Sequence, residues 1–310
     1  MIKENQTFTI TENDAKRRID RILRKFLPLL PMSALYSALR LGKIKVNGKK
    51  VKPSYIAEKN DILEIVNLAI EDRGIKPSAQ INMQIEDTEK KTILKSAKPE
   101  ILLKTEDLIF INKPKGQIVH GEKSLCEAVL QYFPSQIQSL SFTPGPLHRL
   151  DKNTSGIITF SQSLDGARQF SKALQEGKTG KYYIGITEGT KVKSVFKNTI
   201  DGKLCICYTK TLEISKKYNM SLVLFELITG KKHQIRIQCN HFKTPLLNDK
   251  KYGSKFSFKN TKNYFLHAYK LEFKEKILKN LPNAITAPLP KDFSKIIKDI
   301  FKINNLAEKL

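Results

Sequence analysis

His148-Arg149-Leu150-Asp151-Lys152-Asn153-Thr154-Ser155-Gly156 is the stretch on which the reading of this chain turns. Pro144-Gly145-Pro146 precede it and the apolar run Ile157-Ile158-Thr159-Phe160 follows. Proline and glycine punctuation reads as loop, the polar Gly-terminated segment as a turn, and the β-branched run as a buried strand. Asp151 thus stands in a turn ahead of a strand, between Arg149 and Lys152. Nearby positive charge favours the carboxylate anion, and a positioned anion can act as nucleophile or base. Taken alone, an aspartate between basic residues in a turn is most often a solvated ion pair of small energetic weight.

Outward from this stretch, the 310 residues carry 55 Lys+Arg against 30 Asp+Glu, a formal net charge of +25. Such an excess suits a polyanionic partner, nucleic acid first and an anionic membrane surface second. A lysine-rich proteome produces the same bias, and the absence of Trp with abundant Ile, Lys and Asn fits an AT-rich genome. Leu27-Pro28-Leu29-Leu30-Pro31 is too short and too broken to span a bilayer. No apolar segment follows the first charged residues, so no signal peptide is expected and the cytoplasm follows. Cys205-Ile206-Cys207 places two thiols on one strand face. Without a second close pair they read as buried free thiols rather than metal ligands.

Residues 1–70 read as a small basic module. Ile19, Ile22, Leu23 and Phe26 recur at helical spacing, with Arg17, Arg18, Arg21, Arg24 and Lys25 on the other faces. Ser33 is expected to cap a second helix that buries Leu35, Ala38 and Leu39 and stops at Gly42. Ile44-Lys45-Val46 alternates as a strand, Asn47-Gly48 is a hairpin turn, and Val51 and Ile62–Ile65 supply further strand material. Residues 71–98 read as a linker. Residues 99–310 hold many short β-type runs (Leu108–Ile111, Ile157–Phe160, Tyr182–Ile186, Ser221–Ile228) with helical stretches between them, such as Gly166–Gln175. Without a regular βαβ rhythm, the expected class is α+β with a mostly antiparallel mixed sheet. A final amphipathic helix after Pro290 is expected to pack back onto this domain.

HRLDKNTSG resembles the HRLD-x-x-TSG signature of the RluA-type pseudouridine synthases, which isomerise uridine to pseudouridine in RNA. Four more segments resemble that family's pattern, in its order. Residues 112–120 (NKPKGQIVH) are similar to its KPxGxxVH element. Residues 181–186 (KYYIGI) are similar to KxYxAxV, with Gly185 where alanine is usual. Residues 229–237 (TGKKHQIRI) are similar to TGRTHQIRV, with lysines at 231 and 232. Leu266-His267-Ala268 is similar to the LHA element. LYSALRLGKIKVNGKKV, ending at Val51, resembles the S4 RNA-binding region of the RluC-like branch. Gln238 stands where the family often has histidine, and Asn248 where glycine is common.

The resemblance implies an N-terminal S4-like RNA-binding domain and a pseudouridine synthase catalytic domain. It implies Asp151 as the catalytic carboxylate, acting at C1′, C6 or C2′ of the nucleotide. Tyr183 would be the stacking platform, with adjacent Tyr182 facing the other side of its strand, and Arg236 the partner of Asp151. The target uridine must leave its stack, and Arg149 resembles the residue that fills the gap. RNA contacts are expected from Arg149, His148, Arg17, Arg18, Arg21, Arg40, Lys43, Lys45 and Lys49. His120, His148, His233 and His267 lie in separate segments without a ligand motif, so each reads as a hydrogen-bonded structural residue and no metal is expected. No nucleotide-phosphate loop occurs, so no cofactor is expected. The expected partner is structured ribosomal RNA, with a monomeric protein. The alternatives are a synthase acting on tRNA, a non-catalytic RNA-binding or ribosome-assembly factor, and an RNA-processing hydrolase.

Overall fold

The computed structural model describes residues 5–66, 68, 97–134, 138–256 and 263–310. The expected linker, residues 71–98, lies almost wholly outside them. The chain divides into two compact units. The first is Met1–Lys95 with Pro134–Pro144 and Gln162–Asp165. The second is Ser96–Phe133, Gly145–Ser161 and Gly166–Leu310. The two inserted stretches come from chain that the sequence assigned wholly to the second domain.

The first unit contains β1 (Gln6–Thr9), β2 (Arg17–Arg18), α1 (Ile19–Phe26), α2 (Met32–Leu41), β3 (Ile44–Val46), β4 (Ile56–Ala57) and β5 (Ile62–Ile65). β1, β5 and β3 form one antiparallel sheet, and β2 pairs with β4. The apolar stripe Ile19, Ile22, Leu23, Phe26 of α1 is buried, together with Leu35, Ala38 and Leu39 of α2. Pro31, not Ser33, sits at the N-cap of α2, where its fixed φ suits entry into a helix. Gly42 ends α2 at φ 75°, a left-handed conformation that glycine adopts without strain. Asn47 and Gly48 both take positive φ as the turn requires. The turn closes a single bridge, Val46 to Lys49, and no strand forms at Val51. β3 pairs instead with β5, where Leu63 and Ile65 are buried beside Ile44 and Val46.

The second unit contains β6 (Glu100–Lys104), β7 (Leu108–Lys113), α3 (Leu125–Tyr132), β8 (Ser155–Ser161), β9 (Thr179–Glu188), β10 (Val195–Ile200), β11 (Lys203–Ser215), β12 (Met220–Leu227), α5 (Gln234–His241), β13 (Leu266–Phe273), β14 (Ala284–Thr286) and α6 (Lys291–Phe301). α4 (Leu164–Gln175) begins in the first unit and runs into it. Its sheet runs in the order β10-β11-β12-β9-β13-β8-β7-β6, with β14 also on β13. The β8–β13 pair is parallel and the other pairings are antiparallel. The architecture is α+β, as the sequence led one to expect.

Every residue of β8 is buried, because helices cover both faces of the sheet there. α3 packs Leu125 and Val129 on Ile109, Ile111 and Ile158, and α4 packs Phe170 with Leu108, Phe110 and Ile157 on the other side. That explains a continuous apolar run rather than alternation. α5 buries Ile235 and Cys239 against Phe196, Cys207 and Val223. α6 buries Phe293, Ile297 and Ile300 against Ile184, Ile186 and Leu222, so the C-terminal helix does pack back. Gly156, with φ +107°, marks the crossing of β8 and β13. A Cβ there would come within 2.2 Å of the Ala268 carbonyl oxygen, a contact only glycine avoids. Among the described residues no helix is long and apolar enough to cross a membrane.

His267 of β13 is fully buried opposite Ser155 of β8. Its Nδ1 meets the Ser155 hydroxyl at 2.9 Å and its Nε2 the Ala287 carbonyl at 3.2 Å. Nε2–H therefore donates to the carbonyl, and the neutral ring satisfies both neighbours. Burial pushes its pKa down to about 4. An imidazole that resists protonation when folded and accepts it when unfolded favours the folded state above the ordinary histidine value. That stability is lost as pH falls from about 6.5 to about 4. The shift corresponds to about 3 kcal/mol. Denaturant melts at pH 7.5 and pH 4.5 are expected to show this loss, and His267→Gln is expected to lessen it by about that amount. Equal pH dependence in the two proteins would overturn the assignment.

Candidate active site

The turn after Leu150 sets Asp151 in the lining of a cleft in the second unit. The cleft is open to solvent and holds about 200 Å³. It is lined by His148, Arg149, Asp151, Thr154, Lys181, Tyr183, Leu227, Gly230, Lys231, His233, Gln234 and Arg236, among others. Five residues singled out in the sequence, Asp151, Tyr183, Arg236, Arg149 and His148, therefore meet in one cavity. They come from the loop ahead of β8, from β9 and from α5. Arg17, Arg18, Arg21, Arg40, Lys43, Lys45 and Lys49 lie in the first unit.

The cation that touches Asp151 is Arg236, not Arg149 or Lys152. Both chain neighbours are exposed, because successive side chains of a turn diverge. Arg236 Nη1 lies 3.4 Å from Asp151 Oδ2. Its stronger partner is Asp249, which accepts from Nε at 2.7 Å and from Nη2 at 2.8 Å. This bidentate fork holds the guanidinium plane and leaves the remaining nitrogen for Asp151. The rings of Tyr252 and Tyr264 pack on the guanidinium, 4.7 and 4.2 Å from it. Burial opposes the charge of Arg236. The hydrogen bonds and charge of Asp249, aided by Asp151, outweigh that effect and raise its pKa.

Asp151 has two further neighbours. His233 Nε2 stands 3.6 Å from Oδ1, and the Tyr264 hydroxyl 3.5 Å from Oδ2. His233 opens α5 in a left-handed conformation, φ 57°, which turns its ring into the cleft. Its Nδ1 meets the Tyr252 hydroxyl at 2.8 Å. The tautomer with its proton on Nε2 suits both contacts, directing that proton at Asp151 and accepting from tyrosine. Burial lowers the His233 pKa against the pull of Asp151, and nearby Arg236 adds to the lowering. His233 departs from the purely structural histidine expected. Its position three residues before Arg236 at the start of one helix is the sequence signal that could have placed it in the cleft.

Tyr183 and Tyr182 part company as a strand requires. Tyr183 lines the cleft, and burial, then the charge of Asp151, raises its pKa, so the phenol stays neutral. Tyr182 turns away and donates to Glu272 at 2.9 Å. His148, expected to contact RNA, spends its ring elsewhere. Its Nε2 accepts from the Thr159 N–H at 3.0 Å, and the ring stacks on Phe170. Burial takes its pKa to about 4. A neutral ring with its acceptor used inside the fold is suited to shaping the loop rather than to gripping phosphate.

Lys113, at the end of β7, is fully buried. Its ammonium donates to the carbonyls of Pro114, Gln117 and Lys152 at 2.9, 2.9 and 3.0 Å. Lys152 follows Asp151, so Lys113 ties the NKPKG segment to the loop that carries the carboxylate. Burial lowers its pKa to about 8, against the pull of Asp151. Gln238, at a departure from the family pattern, donates inward to the carbonyls of Phe196 and Cys205. His120 lies against Cys126, 3.5 Å away. Among the described residues no group of three or more His, Cys, Asp or Glu is placed to hold a metal ion.

Among the basic residues of the first unit, Arg21, Arg40, Lys43 and Lys49 are exposed and Lys45 is half-buried. Two are engaged within the fold. Arg18 pairs with Asp20 at 2.7 Å, and Arg17 donates to the Ser141 hydroxyl.

An RNA pseudouridylate synthase family model matches residues 107–241, and an S4 domain model matches residues 17–63. The ribosomal large subunit pseudouridine synthase C of Rickettsia bellii is 30% identical over 301 residues, covering 90% of this chain and 96% of that protein. The protein of the same name from Buchnera aphidicola subsp. Schizaphis graminum is 31% identical over 289 residues, covering 85% and 88%. The solved structure of human RNA Pseudouridylate Synthase Domain Containing 4 has a TM-score of 0.53 at 22% identity, covering 65% of this chain and 92% of that one, a likeness of fold. Fold, cleft and relatives together define an RNA-modifying enzyme. The chain belongs to the RNA pseudouridylate synthase family and carries an S4 domain ahead of its synthase domain.

Proposed function

We propose that this synthase isomerises specific uridines of large-subunit ribosomal RNA, and that Asp151 is the carboxylate that acts on the flipped nucleotide. The observation that carries the reading is the placement of Asp151 in the cleft beside an arginine already anchored by Asp249. An arginine whose charge is balanced elsewhere can orient a carboxylate without consuming its reactivity. Uridine and pseudouridine are isomers, so the reaction needs no redox partner and no co-substrate. It needs a nucleophile or base, a platform that keeps the detached uracil, and a proton route. Tyr183 supplies the platform, since base–aromatic stacking is worth about 1–3 kcal/mol, and its neutral phenol can relay the proton that leaves C5. Arg149, exposed beside the nucleophile, takes the vacated place in the RNA stack. The ribosomal substrate is supported by the names of the curated relatives. We infer a cytoplasmic enzyme on that substrate and propose that it acts as a monomer.

The test is pseudouridine mapping on unmodified ribosomal RNA by carbodiimide adducts and reverse-transcription stops, with wild type and Asp151→Ala in parallel. New stops with wild type alone are expected. Stops on tRNA and none on ribosomal RNA would overturn the substrate, and stops with both proteins the role of Asp151.

The exposed cations of the S4 module predict a steep salt dependence of RNA affinity. Each phosphate contact contributes about 0.7–0.9 to the slope of log affinity against log salt. Arg21→Ala and Lys49→Ala are each expected to reduce that slope by about 1. An unchanged slope in both variants would show that the S4 face is not the grip.

A further inference from the structure

The chain enters and leaves the Asp151 segment through the first compact unit. Gly145–Ser161, which carries Asp151, belongs to the second unit, while Pro134–Pro144 before it and Gln162–Asp165 after it belong to the first. Both flanks are held by one turn near the N-terminus. Asp14 is fully buried and accepts from the Ser139 hydroxyl at 2.8 Å, the Leu140 N–H at 2.9 Å, and the Ser141 N–H and hydroxyl at 3.0 and 2.6 Å. Thr11 adds a hydrogen bond from its hydroxyl to the Gln138 carbonyl at 2.6 Å. The next residue back, Asn13, is 2% exposed and accepts from the Leu164 N–H at 2.8 Å. Its Nδ2 has no hydrogen-bond partner among the described residues, so its oxygen is the part in use.

The two ends of the Asp151 segment are also tied to each other. The Ser161 N–H donates to the Gly145 carbonyl at 2.9 Å, and the Leu147 N–H to the Thr159 carbonyl at 2.8 Å. A carboxylate collecting several donors is far more than a surface contact, since removing such an acceptor strands buried donors. Arg17 of β2 joins the same cluster through the Ser141 hydroxyl.

We propose that Asn13 and Asp14 are positioning residues for the nucleophile: a clamp in the N-terminal unit that closes the base of the segment bearing Asp151. The proposal rests on the catalytic reading of Asp151. It predicts that the N-terminal module contributes to the chemical step as well as to RNA affinity. A displacement on the order of 1 Å at a reacting group is enough to cost a large factor in rate.

The test uses the full chain with Asn13→Ala and Asp14→Asn. Amide hydrogen exchange at Leu147 and Ser161 is read against Ile184 and Leu222 of the central sheet. Exchange at the first pair is expected to rise about 10-fold while the second pair is unchanged. Single-turnover rate at saturating RNA is expected to fall about 10-fold, with Kd within about 3-fold of wild type. Unchanged exchange at Leu147 and Ser161, or a defect wholly in Kd, would overturn the clamp. If Asp14→Asn exposes the amides of α1 and so unfolds the first unit, Asn13→Ala, which removes a single acceptor, decides the matter. A wild type without turnover defeats the isomerase reading instead, and the exchange measurement still judges the clamp.

Discussion

Asp151→Ala is expected to abolish isomerisation while leaving a folded protein that binds RNA within several-fold of wild type. Loss of a group that bonds covalently to substrate, or takes its proton, costs on the order of 10⁴-fold or more in rate. The fold should tolerate the change because the contacts of Asp151 are long, 3.4 Å to Arg236 and 3.6 Å to His233. Arg236 keeps its fork on Asp249 when Asp151 is gone. Denaturant midpoints should therefore move by less than about 1 kcal/mol, the scale of a weakly coupled ion pair. Single-turnover assays with unmodified RNA measure the rate, and a filter-binding isotherm the affinity. Residual turnover within 100-fold of wild type would remove Asp151 from the chemistry.

Arg236→Ala is expected to damage both fold and activity. It strands Asp249, which is 2% exposed, and deletes the cation beside Asp151. Breaking a buried pair from one side costs about 3–5 kcal/mol, readable as a shift in the urea midpoint. Arg236→Lys should recover little, because an ammonium cannot make the fork to Asp249 and reach Asp151 as well. The pair Arg236→Ala and Asp249→Ala separates the two roles. Asp249→Ala retains the cation at Asp151 but frees its orientation, so its turnover should fall with the charge still present. A loss of stability below about 1 kcal/mol in Arg236→Ala would show that the buried fork is not structural.

Much of the fold was legible because its signals are local. The stripe Ile19, Ile22, Leu23, Phe26 makes α1 wherever α1 is placed. Gly42 ends α2, and the run from Ile157 to Phe160 makes a buried strand. Short-range pattern misled where pairing is a choice among partners. Asn47-Gly48 turned as expected, yet β3 chose β5 because Leu63 and Ile65 offer a buried face. Ser33 lost the cap to Pro31, which lies at the place where the chain bends into the helix.

The site divides in the same way. Asp151, Tyr183 and Arg236 could be named from the sequence because each lies in a motif whose residues are adjacent in the chain. Asp249, Tyr264 and Lys113 could not be given their places, since each acts on a group brought near by packing. Lys113 reaches the Lys152 carbonyl 39 residues away, and Tyr264 reaches Asp151 at a separation of 113. Nor does composition show that Asn13 and Asp14 hold both flanks of the Asp151 segment. The sequence by itself determined many of the elements, the family and the residue proposed for the centre of the chemistry, because helical period, turn conformation and motif order are written in neighbouring residues. Only the tertiary structure decided which charges meet, because a buried polar group takes its partner from whatever the packed chain brings within hydrogen-bond reach.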